Sequence, residues 1–276
     1  MITVPPPPAT WAGRLRWTLA DAWTITRRDL AHLRNKPGYL VGMTAAPMAF
    51  IAIFGYIFGS AVELPGGNYR AFMMPGIFAM TTAFGAVGTM VVVATEMSKG
   101  VIDRFRSLPM SRAAVLLGRV FSDLLLTLPG LTLMVIAGYL IGWRAENGPA
   151  GALAAFGLMF LLRFALTWLG AYVAMLARTP ESADQIGSVV IFPLTMVGNT
   201  FVPTGGMPGW LRVIADWNPI SALTAAFRVL FGNPGVPGLD APWPLRHCVA
   251  VSAGWAILLI VVFLPLAVRR YLRLSG

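Results

Sequence analysis

The chain holds one cysteine, two histidines, two lysines and eleven acidic residues among 276. Each scarcity closes off a class of chemistry. Cys248 alone allows no intramolecular disulfide and no thiolate cluster. A phosphate-cradling loop needs a lysine directly after a glycine, whereas Lys36 follows Asn35 and Lys99 follows Ser98. ATP hydrolysis by that route is excluded. His32 and His247 are far apart and fall on opposite expected sides of a membrane, so no His-based site is expected. No serine elbow or paired-carboxylate arrangement stands out, and the chain reads as non-catalytic.

Charge is scarce too. Only 12% of residues are charged and 57% are hydrophobic, against about 25% charged in a soluble domain. Continuous apolar runs have replaced the missing charge, which makes the fold class all-α, polytopic and membrane-spanning. Crossing the hydrocarbon core takes about 20 helical residues. Six stretches qualify: 39–60, 71–95, 113–141, 151–177, 185–202 and 249–268. Residues 1–36 then form an N-terminal segment, and 37–276 the transmembrane domain. Four prolines (Pro5 to Pro8) precede polar sequence with no short apolar core. No cleaved signal is expected, and the first span serves as an anchor.

Lys and Arg set the orientation. Fourteen lie in the N-terminal segment, the even-to-odd connections and the C-terminal end, against five on the opposite side: Arg70, Arg144, Arg212, Arg228 and Arg246. Both termini are therefore expected in the cytoplasm. The net charge of +10 follows from this asymmetry and does not imply nucleic acid. Arg119 sits about two turns into the third span, within snorkelling reach of the headgroups. Arg163 is nearer mid-span, where a charge is costly and faces protein or water. It reads equally as a packing residue bonded to a neighbouring carbonyl or as the polar wall of a substrate path.

Three elements outside the spans have organised patterns. Residues 11–35 form an expected amphipathic helix with Trp11 and Trp23 among its aromatics and Arg14, Arg27 and Arg28 among its cations, suited to an anionic membrane surface. Residues 96–109 form a short polar rod between the second and third spans. There Val101, Ile102, Phe105 and Leu108 make an apolar face beside Lys99, Arg104 and Arg106. A push on this rod would tilt both spans. The connection 204–247 carries two short amphipathic helices split by Asn218-Pro219, one holding Trp210 and the other Arg228. Neither is long enough to span, so they read as re-entrant or interfacial on the outer side.

Six spans, the N-terminal interfacial helix, Glu96-x-x-x-Gly100 with a later Pro109, and Asn218-Pro219-x-Ser221 before the last span resemble the permease subunit of type-2 ATP-binding-cassette exporters. Within that family the similarity is to daunorubicin and doxorubicin resistance permeases, helped by Asp21-Ala22-Trp23-Thr24 and Arg27-Arg28-Asp29-Leu30. The resemblance implies a transporter of two permeases, most simply a homodimer, and two separate ATP-binding subunits in a cytoplasmic membrane. ATP and Mg would sit on the partner, with no cofactor in this chain.

It further implies that Glu96, Lys99, Gly100, Asp103, Arg104, Phe105, Arg106 and Pro109 belong to a coupling helix held by the ATPase. The N-terminal helix would touch the same subunit. The family often carries more charge directly after the glutamate, where this chain has Met97-Ser98-Lys99. The implied function is expulsion of amphipathic, anthracycline-like drugs. Phe50, Phe54, Met73, Phe78 and Arg163 are candidates for the path, since aromatic and thioether surfaces suit flat apolar molecules. Export of a lipid, glycolipid or glycan precursor stands as an alternative. An ion-driven carrier or a membrane assembly factor are others, although few acids in the spans and no detected repeat weigh against an ion-driven carrier.

Overall fold

The protein is described by a computed structural model over residues 13, 16, 20, 23, 24, 26 and 27, then 37–59, 68–100, 112–177, 179–201, 204–238 and 240–274. Among these residues all regular structure is helical, as the composition predicts. Helix α1 (Pro37–Ala52) runs on into a π-helical segment (Ile53–Phe58). Four long helices follow the expected spans closely: α2 (Tyr69–Ser98), α3 (Arg112–Leu140), α4 (Gly148–Ala174) and, after shorter elements, the last helix (Cys248–Leu274). Between them lie α5 (Pro180–Met196), α6 (Gly209–Trp217), α7 (Pro219–Phe231) and α8 (Trp243–Arg246), so the last helix is α9.

The six expected spans meet a mixed outcome. Helices α2, α3, α4 and α9 contain stretches long and apolar enough to cross a membrane. The other two expected spans coincide with shorter helices. The first is a 16-residue α-helix extended by six π-helical residues. The fifth, expected to reach residue 202, stops as α5 at Met196 after 17 residues. At about 1.5 Å per residue, α5 falls short of a hydrocarbon core of about 30 Å. Its C-terminal Val197 through Thr200 leave the helix as a turn.

Packing separates a central group from a flanking pair. Helix α4 lies along α9, and α2 lies along α4 and α5, with α7 wedged against α2, α4 and α9. Apolar side chains gain little by leaving lipid for protein, so close approach must supply the adhesion. A Cβ built on Gly170 of α4 would stand 2.8 Å from the Ala86 carbonyl oxygen of α2, so only glycine allows that spacing. At one end of the bundle the ring pairs Phe78–Trp143, Phe78–Phe156, Trp143–Phe231 and Phe156–Phe231 meet edge-on, with centroids 5.2–5.9 Å apart, the arrangement aromatic quadrupoles favour. The buried Trp143 Nε1 donates to Asn233 Oδ1 at 2.7 Å. Helix α3, by contrast, finds its main neighbour in α1. These two helices flank the central group, and the space between is not filled.

Candidate functional site

That unfilled space is a cavity of about 590 Å³, within the range of roughly 300–1,000 Å³ usual for small-molecule sites. Its walls come from α1 (Gly42, Pro47, Phe50), α2 (Thr81, Phe84, Gly85, Gly88, Val92), α3 (Arg119, Asp123, Leu126) and α4 (Arg163), with Asp184 of α5 at the rim. A second, smaller cavity of about 50 Å³ adjoins it, lined by Thr44, Phe78, Thr82, Met134, Met159 and again Arg163. The lining is mostly carbon.

Arg163 is 5% exposed and is held by a carboxylate that sequence reading did not single out. Its Nε donates to Asp123 Oδ2 and its Nη2 to Asp123 Oδ1, each at 2.7 Å. Thr167 Oγ1 donates to Oδ2 at 3.0 Å and Thr89 Oγ1 to Oδ1 at 3.3 Å. One carboxylate thereby ties α2, α3 and α4 together. The bidentate geometry and the two hydroxyls are what a pair removed from water requires. The signal was present: Asp123 is the one acidic residue in the third apolar run and Arg163 the one charge in the fourth. Both lie near mid-run in consecutive, hence antiparallel, helices.

Other expected path residues separate. Phe50 lines the large cavity and Phe78 the small one. Phe54 stacks on Phe201 with centroids 4.4 Å apart, and Met73 is wholly buried in the core.

At the C-terminal end of α2, Glu96 approaches Arg119 Nη1 at 3.6 Å, joining α2 to α3. Arg119 therefore has a specific protein partner. Lys99 is exposed and caps α2, and Gly100, at φ +64°, turns the chain out of the helix. Asp103, Arg104, Phe105, Arg106 and Pro109 lie outside the described residues, as do Trp11, Arg14 and Arg28. Trp23 and Arg27 are helical and exposed. The adjacent Thr26 is buried, and its Oγ1 donates to the Gly118 carbonyl of α3 at 3.1 Å.

The opposite end of the molecule is built around Asn218 and Arg228. Asn218 Oδ1 caps α7 by accepting from Ile220 N at 2.8 Å, while its Nδ2 donates to the Val197 and Leu194 carbonyls at the frayed end of α5. Pro219 occupies the first helical turn, where its missing N–H is harmless. Arg228, 1% exposed, donates to the carbonyls of Phe72, Asn199 and Thr200 at 2.8–3.3 Å and lies 3.7 Å from the Phe72 ring centre. A Cβ on Gly76 would meet the Thr200 oxygen at 2.4 Å, so glycine lets this turn rest on α2. Trp210 is 69% exposed, and Val213, Ile214 and Trp217 of the same helix are also exposed. Trp217 stacks on Trp243, whose ring meets His247. Such aromatics suit a membrane–water interface.

Residues 20–231 match the model of the ABC-2 type transporter family. The chain belongs to that family. It is 32% identical over 255 residues to the daunorubicin resistance ABC transporter permease protein DrrB1 of Streptomyces coeruleorubidus, covering 92% of this chain and 85% of the relative. It is 26% identical over 249 residues to the doxorubicin resistance ABC transporter permease protein DrrB of Mycobacterium tuberculosis, covering 87% and 84%. The putative transport permease ycf38 of Cyanophora paradoxa is 20% identical over 249 residues, covering 89% and 85%. The chain is thus a multi-pass transport protein of the ABC-2 permease family, with drug-resistance permeases among its relatives.

Proposed function

We propose that the chain is the transmembrane subunit of an ATP-driven exporter that expels amphipathic drugs from the cytoplasm. It lies in the cytoplasmic membrane with both termini inside; α1 with its π-helical extension and α5 together with the turn 197–200 that follows it complete six spans. Two copies assemble with two ATP-binding subunits, which hold ATP and Mg. The observation that carries this reading is the apolar cavity between α1, α2, α3 and α4, whose lining reaches Val91 and Val92 in the last turns of α2, close in sequence to the polar rod.

The rod 96–109 is the coupling element, and the N-terminal helix is a second contact for the ATPase. Movement of the rod reaches α3 directly, and the Glu96–Arg119 pair carries it to the end of α2. Helix α3 draws α1 with it, because α1 is its main neighbour, and Thr26 links the N-terminal helix to the same unit. Rocking this pair against the central group changes the cavity's access, a rigid-body transition of a familiar kind.

The test is charge reversal, Arg104→Glu with Arg106→Glu, in membranes that also hold the co-expressed ATPase. Transport-coupled ATP turnover should be lost while insertion is retained. Unchanged turnover would remove the rod from the mechanism.

A further inference from the structure

The guanidinium of Arg163 spends two of its three nitrogens on Asp123 and keeps the third. Among the described residues Nη1 has no hydrogen-bond partner, although the side chain is only 5% exposed. It lies across Gly85: a Cβ built there would fall 0.9 Å from Nη1 and 1.9 Å from Cζ. Gly85 and Arg163 both line the large cavity, so the spare N–H donors stand in its wall. The carboxylate is in the reverse condition: it accepts twice from Arg163, and the Thr167 and Thr89 hydroxyls divide their single protons between it and the Arg163 and Gly85 carbonyls. Beside Arg163 the wall therefore offers a spare donor next to a neutralised carboxylate, and the pair carries no net charge. The remaining charged groups around the cavity are Arg119, beside Glu96, and Asp184, exposed on α5.

We infer that Arg163 Nη1 is a substrate-binding donor that selects apolar molecules bearing a neutral hydrogen-bond acceptor, such as a hydroxyl, ether or ketone oxygen. This rests on the reading of the cavity as the transport path. A carboxylate or phosphate head would meet Nη1 but also the adjacent Asp123, and would bring an uncompensated charge into apolar walls. An ammonium head beside Nη1 would find Asp123 already taken, and capturing it would strand Arg163. A neutral acceptor gains a charge-assisted hydrogen bond at no such cost. Phe50 and Phe84 supply aromatic walls for the apolar body.

The experiment uses the full-length chain in lipid nanodiscs and anthracene bearing a hydroxymethyl, methyl, carboxylate or aminomethyl group. Binding is read by energy transfer from the protein's tryptophans. The hydroxymethyl compound should bind about tenfold more tightly than the methyl compound, the ratio of one added hydrogen bond to a charged donor. It should also outbind both charged compounds. Gly85→Ala, which puts a methyl where Nη1 lies, should bring that ratio close to one while leaving methyl-anthracene binding in place. The paired change Arg163→Met with Asp123→Leu, which strands no charge, should do the same. Equal binding of the hydroxymethyl and methyl compounds, or tighter binding of either charged one, overturns the assignment while leaving the cavity as a path. Absence of binding by all the compounds overturns it together with the path.

Discussion

Among the described residues two arginines are buried, and their surroundings differ in one respect that decides what each can do. Arg228 is enclosed by three backbone carbonyls and the face of Phe72. Its donors are absorbed in closing a turn against a helix, and it lines neither of the described cavities. Arg163 is compensated by a carboxylate, so its charge is settled by one neighbour and a nitrogen is left over beside open space. A buried cation solvated by carbonyls is a fastening. A buried cation neutralised by a carboxylate can also be a site.

The sharpest test of this contrast is Arg228→Met. Three carbonyls lose a buried donor at once, each costing about 1–3 kcal/mol. The variant should fail to give a monodisperse peak in size-exclusion chromatography in detergent.

Next in size is Asp123→Asn, which leaves the Arg163 charge unbalanced at a cost of about 3–5 kcal/mol. The double change Asp123→Leu with Arg163→Met should recover more than half of that loss in thermal unfolding, since both charges leave together. Equal losses would make Arg163 a fastening like Arg228.

A smaller effect is expected at Asn218→Ala. It removes a helix cap worth about 1–2 kcal/mol and the donor to Val197 and Leu194, and should lower the unfolding midpoint without loss of the folded peak. Least affected should be Trp210→Ala: the side chain is 69% exposed, and the unfolding midpoint in detergent should move by no more than about 0.5 kcal/mol allows.

How far each feature could be read from the sequence follows from how local its cause is. The helices α2, α3, α4 and α9 were legible because an apolar run is a property of consecutive residues. The end of α5 was not, because residues through Val202 remain largely apolar. What stops the helix is Asn218 donating to the Leu194 and Val197 carbonyls, and Arg228 donating to those of Asn199 and Thr200 just beyond, from more than twenty residues away. Arg228 itself looked like one more outer cation on a short amphipathic helix. Its burial depends on Phe72, 156 positions distant. Asp123 is the intermediate case, since opposite charges at matching depth in neighbouring runs are a local pattern in two places. The polar rod beyond Gly100 and much of the N-terminal helix lie outside the described residues, so their roles rest on the pattern and the family.

The most direct measurement is purification of the tagged chain from its native membrane in mild detergent, with the co-purifying proteins identified and assayed for ATP hydrolysis. An ATP-driven exporter requires a stoichiometric subunit carrying the phosphate-binding loop that this chain lacks. A permease that purifies alone, with no ATPase activity in the preparation, would contradict the exporter reading.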